Sequence, residues 1–107
     1  MTPQPVYTLI FAPETIEHLA AIEPRHYSLI RETIEEQLSH TPSLPTRNRK
    51  PLKKPGPFGA RWEVRFGPYL QFRVFYRVIE DEMTVRVLAI GVKRRDRLYF
   101  GNEEFNL

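Results

Sequence analysis

The chain has 107 residues, 41% of them hydrophobic and 27% charged, and its thirteen aromatics (7 Phe, 5 Tyr, 1 Trp) are too many for a disordered chain. Its length fits one domain over residues 1–107, since domains centre on roughly 100–150 residues. Cysteine is absent, which excludes disulfide frameworks, thiol catalysis and thiolate metal sites and fits a cytoplasmic location.

No apolar run approaches the ~20 residues of a membrane span. Met1-Thr2-Pro3-Gln4-Pro5 has neither the basic nor the apolar region of a signal peptide. The net charge of +3 conceals an asymmetry. Residues 1–46 hold two basic and six acidic residues, a net of −4; residues 47–107 hold fourteen and seven, a net of +7. An acidic half joined to a basic half points to a polyanion-binding face, against the plainer reading of a solvated basic surface.

Val6 to Phe11 is a short β-branched and aromatic run and reads as a first strand. Pro13 sits where a helix can begin, with Glu14 and Glu17 in its first turns and Ile16, Leu19 and Ala20 at helical spacing. Pro24 ends that helix. A second helix follows over 25–39, with the stripe Tyr27, Ile30, Ile34 and Leu38 on one face and Arg31, Glu32, Glu35 and Glu36 on another. Two helices with a tight break form an αα-hairpin.

Five prolines between residues 40 and 60 rule out a helix or an interior strand and predict a loop. The same stretch holds Arg47, Arg49, Lys50, Lys53 and Lys54 and no acid, the composition of a phosphate-gripping arm or of a tolerated surface insertion.

From Arg61 the period becomes two, with strands over 61–66, 69–79 and 83–90 joined by Gly67-Pro68 and Glu80-Asp81-Glu82. Short connections make this an antiparallel meander. Alternation puts Trp62, Val64, Phe66, Leu70, Phe72, Val74, Tyr76 and Val78 on a helix-facing side, with Val85, Val87 and Ala89 joining them. Arg61, Glu63, Arg65, Gln71, Arg73, Arg77 and Arg86 fall on the other side, beside Phe75, Leu88 and Ile90. Arginines crowded on one face repel, so a polyanion or the acids Glu63, Glu80 and Asp81 must relieve them. The tail then sets Lys93, Arg94, Arg95 and Arg97 before Tyr99 and Phe100, a pattern that can grip a phosphate while a base stacks.

The order strand, two helices, basic loop, meander and basic-aromatic tail resembles the RelE/ParE superfamily of bacterial type II toxins, an α+β fold. Two stretches carry the likeness: Phe72-Arg73-Val74-Phe75-Tyr76-Arg77-Val78, and the run from Val87 through Gly91 and Lys93-Arg94-Arg95-Asp96-Arg97 to Tyr99. The resemblance implies a cytoplasmic, ribosome-dependent mRNA endonuclease silenced by a cognate antitoxin, with ribosome and mRNA as partners and neither metal nor cofactor. In such enzymes a 2′-hydroxyl attacks the adjacent phosphate, and preorganised cations stabilise the charge that develops.

By position, Arg73 matches the family's strand arginine and Tyr99 its C-terminal tyrosine. Counting back from Tyr99 selects Lys93, and matching a Lys-Arg pair selects Arg94, so both are candidates. Where active members carry lysines on the preceding strand, this chain has Arg61 and Glu63, with Arg65 two further on. Glu63 opposes phosphate binding, and arginine is a poor proton acceptor. Slow cleavage, recruitment of Lys53 or Lys54, or no cleavage all remain open. The expected catalytic set is Arg61, Arg65, Arg73, Lys93, Arg94 and Tyr99, with Arg73 and Tyr99 in one concave pocket. Arg47, Arg49, Lys50, Lys53, Lys54, Arg77, Arg86, Arg95 and Arg97 are the expected RNA contacts.

The rival functions are a non-catalytic ParE-like toxin that poisons DNA gyrase and a nucleic-acid-binding module. His18, His26 and His40 lack metal-ligand spacing, the serines lack a nucleophile-elbow setting, and Gly56 and Gly59 do not open a helix.

Overall fold

The computed structural model describes residues 6–105. Among the described residues the expected strand, two helices and three-stranded meander are joined by three further strands, β2 in the segment read as a loop and β6 and β7 in the tail: β1 (Thr8–Phe11), α1 (Glu14–Ala20), α2 (Tyr27–Leu38), β2 (Arg49–Pro51), β3 (Trp62–Phe66), β4 (Phe72–Ile79), β5 (Thr84–Arg94), β6 (Arg97–Phe100) and β7 (Glu103–Phe105). A 3₁₀ turn over Pro24–His26 separates the helices, where proline cannot continue α1. Strands β2 to β7 form an antiparallel sheet in chain order, and β1 joins it parallel to β5. The fold is thus α+β, with the meander packed on the αα-hairpin.

Both helices lie on one face of the sheet. Ile30, Ile34 and Leu38 of α2 pack with Val64, Phe66, Phe72, Val74, Tyr76, Val85 and Val87, all buried. Burial of such side chains contributes roughly 1.5–3 kcal/mol each. The stripe expected on α1 is displaced. Ile16 is 72% exposed, and the helix turns Thr15 and His18 inward instead.

The alternation expected along β5 also breaks. Phe75 pairs with Ala89 and Tyr76 with Val87, so Leu88 is bulged out of the ladder. The extra residue exchanges the faces beyond it. Ile90, expected on the far side, enters the helix-side core, and Ala89, expected in that core, joins a second cluster with Phe75, Phe100 and Ala60 on the far face.

That second cluster explains the proline-rich segment, which is not a free loop. β2 pairs with β3 as an edge strand, where Pro51 is tolerated. Residues 52–60 then cross the far face as a strap, with Pro57 and Ala60 buried and Leu52 packed on the cluster. Gly56 sits where a Cβ would meet Leu52 Cδ1 at 2.6 Å, so a larger residue there would push the Leu52 side chain aside. Arg49 anchors its approach. It is 3% exposed, and its guanidinium donates to the carbonyls of Leu44 (2.9 Å) and Gln37, to Gln37 Oε1 (3.2 Å) and to Thr41 Oγ1 (3.2 Å). The Tyr76 hydroxyl, which burial holds protonated by pushing its pKa up, donates to the Pro42 carbonyl at 2.8 Å.

β1 and β6 share one edge of β5. β1 covers Thr84 to Val87 and β6 covers Gly91 to Arg94. The gap between them is closed by a side chain, since Ile90 N–H donates to His18 Nδ1 at 3.2 Å. At Gly91 a Cβ would meet Phe100 Cε1 at 2.7 Å, so the C-terminal hairpin packs against β5 only because that residue is glycine. Among the described residues no helix is long and apolar enough to cross a membrane.

Candidate functional site

Antiparallel register decides which cations share a surface. Arg65 faces Arg73 across β3 and β4, and Arg73 pairs with Gly91 on β5. Gly91 pairs in turn with Phe100, a member of the far-face cluster. Arg65 and Arg73 therefore lie on the far face, beside the strap. Glu63 lies between them, 5% exposed, with Oε1 at 3.0 Å from Arg65 Nε and Oε2 at 3.5 Å from Arg73 Nη1. Burial lowers the pKa of Arg73, and the neighbouring Arg65 charge adds to this, while Glu63 opposes both. The carboxylate that sequence reasoning treats as an obstacle to phosphate is thus what lets two arginines stand opposite each other.

Other cations gather around this triad. Arg47, Lys50 and Arg65 line one depression of about 90 Å³ at the β2–β3 edge. Lys93 pairs with Leu98 and is two residues beyond Gly91, on the same far face. Arg77 stands opposite Arg86 on β4 and β5, both exposed. Arg61 is exposed just before β3, where its N–H donates to the Tyr76 carbonyl at 3.0 Å. Arg61, Arg77 and Arg86 have no ion pair among the described residues. Glu80, expected to neutralise this face, instead accepts hydrogen bonds from Tyr7 (2.7 Å) and Ser43, which hold its pKa down. Lys53 and Lys54 are exposed on the strap.

Arg49 does not belong to this surface. Its guanidinium is buried and spent on four acceptors, so it has no face to offer RNA.

Tyr99 does not belong to it either. Phe72 pairs with Val92, and Val92 with Tyr99, so the phenol is directed to the helix side of the sheet. The pocket expected to join Arg73 and Tyr99 is not formed, because neighbouring ladder rows face opposite ways. Tyr99 is accompanied by Arg94, whose guanidinium lies 5.8 Å from the ring centroid. Arg95 is exposed in the turn with φ 58°, and Arg97 pairs with Glu104 at 3.5 Å.

The far face is therefore a cationic surface with a buried internal counterion, and it can bind an extended anion. Among the described residues no group of His, Asp and Glu is arranged to hold a metal ion. Two residues escape sequence reasoning. His18 gives only a lone-histidine signal. Tyr69 is wholly exposed with φ 55° in the turn leading to Arg73, a strained setting that nothing in its sequence context marks.

A family model described as the ParE toxin of the type II toxin–antitoxin system parDE matches residues 9–97. A solved structure, the toxin–antitoxin complex RelBE2 from Mycobacterium tuberculosis, matches the fold with a TM-score of 0.68 at 24% identity, covering 87% of this chain and 98% of that one. No curated protein matches the sequence.

Proposed function

Because this chain belongs to the ParE toxin family of type II toxin–antitoxin systems, we propose that it poisons its target by binding and not by cutting mRNA. DNA gyrase is the target that the family resemblance implies for a member without the cleavage set. One observation carries this reading: Arg73 and Tyr99 face opposite sides of the sheet, while Glu63 occupies the cationic centre. A cleavage site needs its base and its charge-stabilising groups within reach of one phosphate. A docking surface needs only the exposed cations Arg47, Lys50, Arg61, Arg77 and Arg86.

The cognate antitoxin is the second proposed partner. An apolar groove of about 640 Å³ runs between α1, α2 and β1, lined by Phe11, Ile16, Leu19, Ile30 and Ile34. Ile16 and Phe11 are 72% and 45% exposed there. Exposed apolar patches of this kind mark interaction sites, and an amphipathic helix fits such a groove.

The deciding experiment adds purified protein to a gyrase supercoiling reaction and to a translating extract. Blocked supercoiling with intact mRNA is the expected result. Codon-site cuts in mRNA, reduced by Arg73→Ala and Tyr99→Phe, would restore the nuclease reading with ribosome and mRNA as partners. Target binding should weaken with salt, because salt screens contacts between exposed charges.

A further inference from the structure

At the β6–β7 end of the sheet, the molecule carries a hollow of opposite character. It is a cavity of about 490 Å³ between α1, the tip of the strap and the C-terminal hairpin, lined among others by Glu14, Glu17, His18, Phe58, Phe100 and Glu103. The three carboxylates are exposed and have no ion pair among the described residues, in a chain whose net charge is +3. A fourth lining carboxylate, Glu104, is paired with Arg97 at 3.5 Å, which leaves these three to supply a local negative field.

The rings are the second feature. His18 lies between Phe58 and Phe100, with ring centroids 5.6 and 5.3 Å away, and those two phenylalanines meet edge to face at 5.8 Å. Phe100 is buried, whereas Phe58 is 53% exposed and offers a free ring face. A cation over such a face is attracted by the ring quadrupole.

His18 supplies the third. It is 5% exposed, and Nδ1 accepts the Ile90 N–H, so the proton of the neutral ring sits on Nε2. Nε2 has no hydrogen-bond partner, yet no enclosed side-chain nitrogen or oxygen among the described residues lacks one. Nε2–H therefore opens on the hollow as an unused donor.

We propose that this hollow is a receptor for one basic side chain, arginine or lysine, carried on an exposed segment of a partner protein. The cationic head meets Glu14, Glu17 and Glu103, its stem lies along Phe58, and the carbonyl of the same residue accepts from His18 Nε2–H. That last contact distinguishes a peptide from a free polyamine, which has a cation and no acceptor. The proposal does not depend on which target the toxin poisons.

The test uses the ¹⁵N-labelled full chain titrated with acetyl-arginine-methylamide, its uncharged isostere acetyl-citrulline-methylamide, and spermidine. The arginine probe is expected to move the amide signals of Glu17, His18, Phe58 and Gly101, and to bind roughly tenfold more tightly than the citrulline probe. Glu17→Gln with Glu103→Gln should weaken the arginine probe by about the same factor, while Glu32→Gln on the exposed face of α2 leaves it unchanged. Equal binding of arginine and citrulline probes, shifts centred on Arg65, Arg73 and Arg77 instead, or no binding at millimolar concentration would overturn the proposal. Spermidine binding as tightly as the arginine probe would overturn its assignment to a protein side chain. Both glutamates are exposed, and an unchanged melting temperature confirms that the double variant keeps its fold.

Discussion

Replacing Glu63 by glutamine keeps the shape of the side chain and removes the one negative charge between Arg65 and Arg73. The two contacts are 3.0 and 3.5 Å long, and at an effective dielectric of about 20 each is a gross attraction of about 5 kcal/mol. Desolvation of the three groups offsets most of that. Removing one partner of a fully buried pair costs about 3–5 kcal/mol. The Arg65 side chain is 34% exposed and partly screened by water, which lowers the expected cost to about 2–4 kcal/mol. Urea unfolding followed by circular dichroism should show this as a midpoint lowered by roughly 1–2 M.

A cycle with Arg73→Gln isolates the pair. The double variant should be less destabilised than the sum of the single ones, because it removes the charge that Glu63→Gln strands. Glu63→Lys adds a third cation to the row and should cost more than Glu63→Gln. A Glu63→Gln midpoint equal to that of the unaltered protein would refute the view that Glu63 is the counterion of this face.

Arg49→Ala should cost about 3 kcal/mol or more by thermal melting, because it leaves the Gln37 and Leu44 carbonyls without their donors, and Arg49→Lys should not rescue it, since an ammonium cannot span the same acceptors. Tyr76→Phe should cost about 1–2 kcal/mol in urea unfolding, because the buried Pro42 carbonyl loses the Tyr76 donor. Burial lowers the pKa of His18 below 6.5 despite the opposing pull of Glu14 and Glu17, so the folded ring resists a proton that the unfolded chain accepts. Its contribution to stability is therefore full above pH 6.5 and is lost as pH falls from 6.5 through the lowered value, a slope that His18→Gln should flatten in a pH series of unfolding midpoints.

The architecture was legible where charged residues recur at every second or fourth position and fix the parity of the strand. Val64, Phe66, Phe72, Val74 and Tyr76 are separated by Arg65, Arg73 and Phe75, and all five lie on the helix side as the period of two requires. The same holds for Ile30, Ile34 and Leu38 on α2. It failed on β5, where Val87, Leu88, Ala89 and Ile90 are apolar at every position. A bulge there leaves no mismatch in the pattern, so the exchange of faces at Leu88 has no signature in one sequence. Arg49 failed for a related reason. It sits among Arg47, Lys50, Lys53 and Lys54, and composition cannot tell the one arginine whose ladder position opposite Val64 turns it inward.

The candidate site was harder to read than the fold, because it depends on register at the last turn. Arg94 pairs with Arg97 across the two-residue turn Arg95-Asp96, and that spacing puts Tyr99 opposite Val92. A turn that shifted the pairing by a single residue would place Tyr99 opposite Gly91, in the row of Arg65 and Arg73, and would rebuild the pocket that sequence spacing predicts. What holds the observed register is the packing of Phe100. It occupies the space over Gly91 and touches His18, Phe58, Phe75 and Phe105. Tyrosine in that place would bring a hydroxyl into a cluster of rings and aliphatic side chains, a burial that costs about 1–3 kcal/mol without a partner. Which of two adjacent aromatics shares the row of Arg65 and Arg73 thus rests on what the core accepts, and the core accepts the one without a hydroxyl.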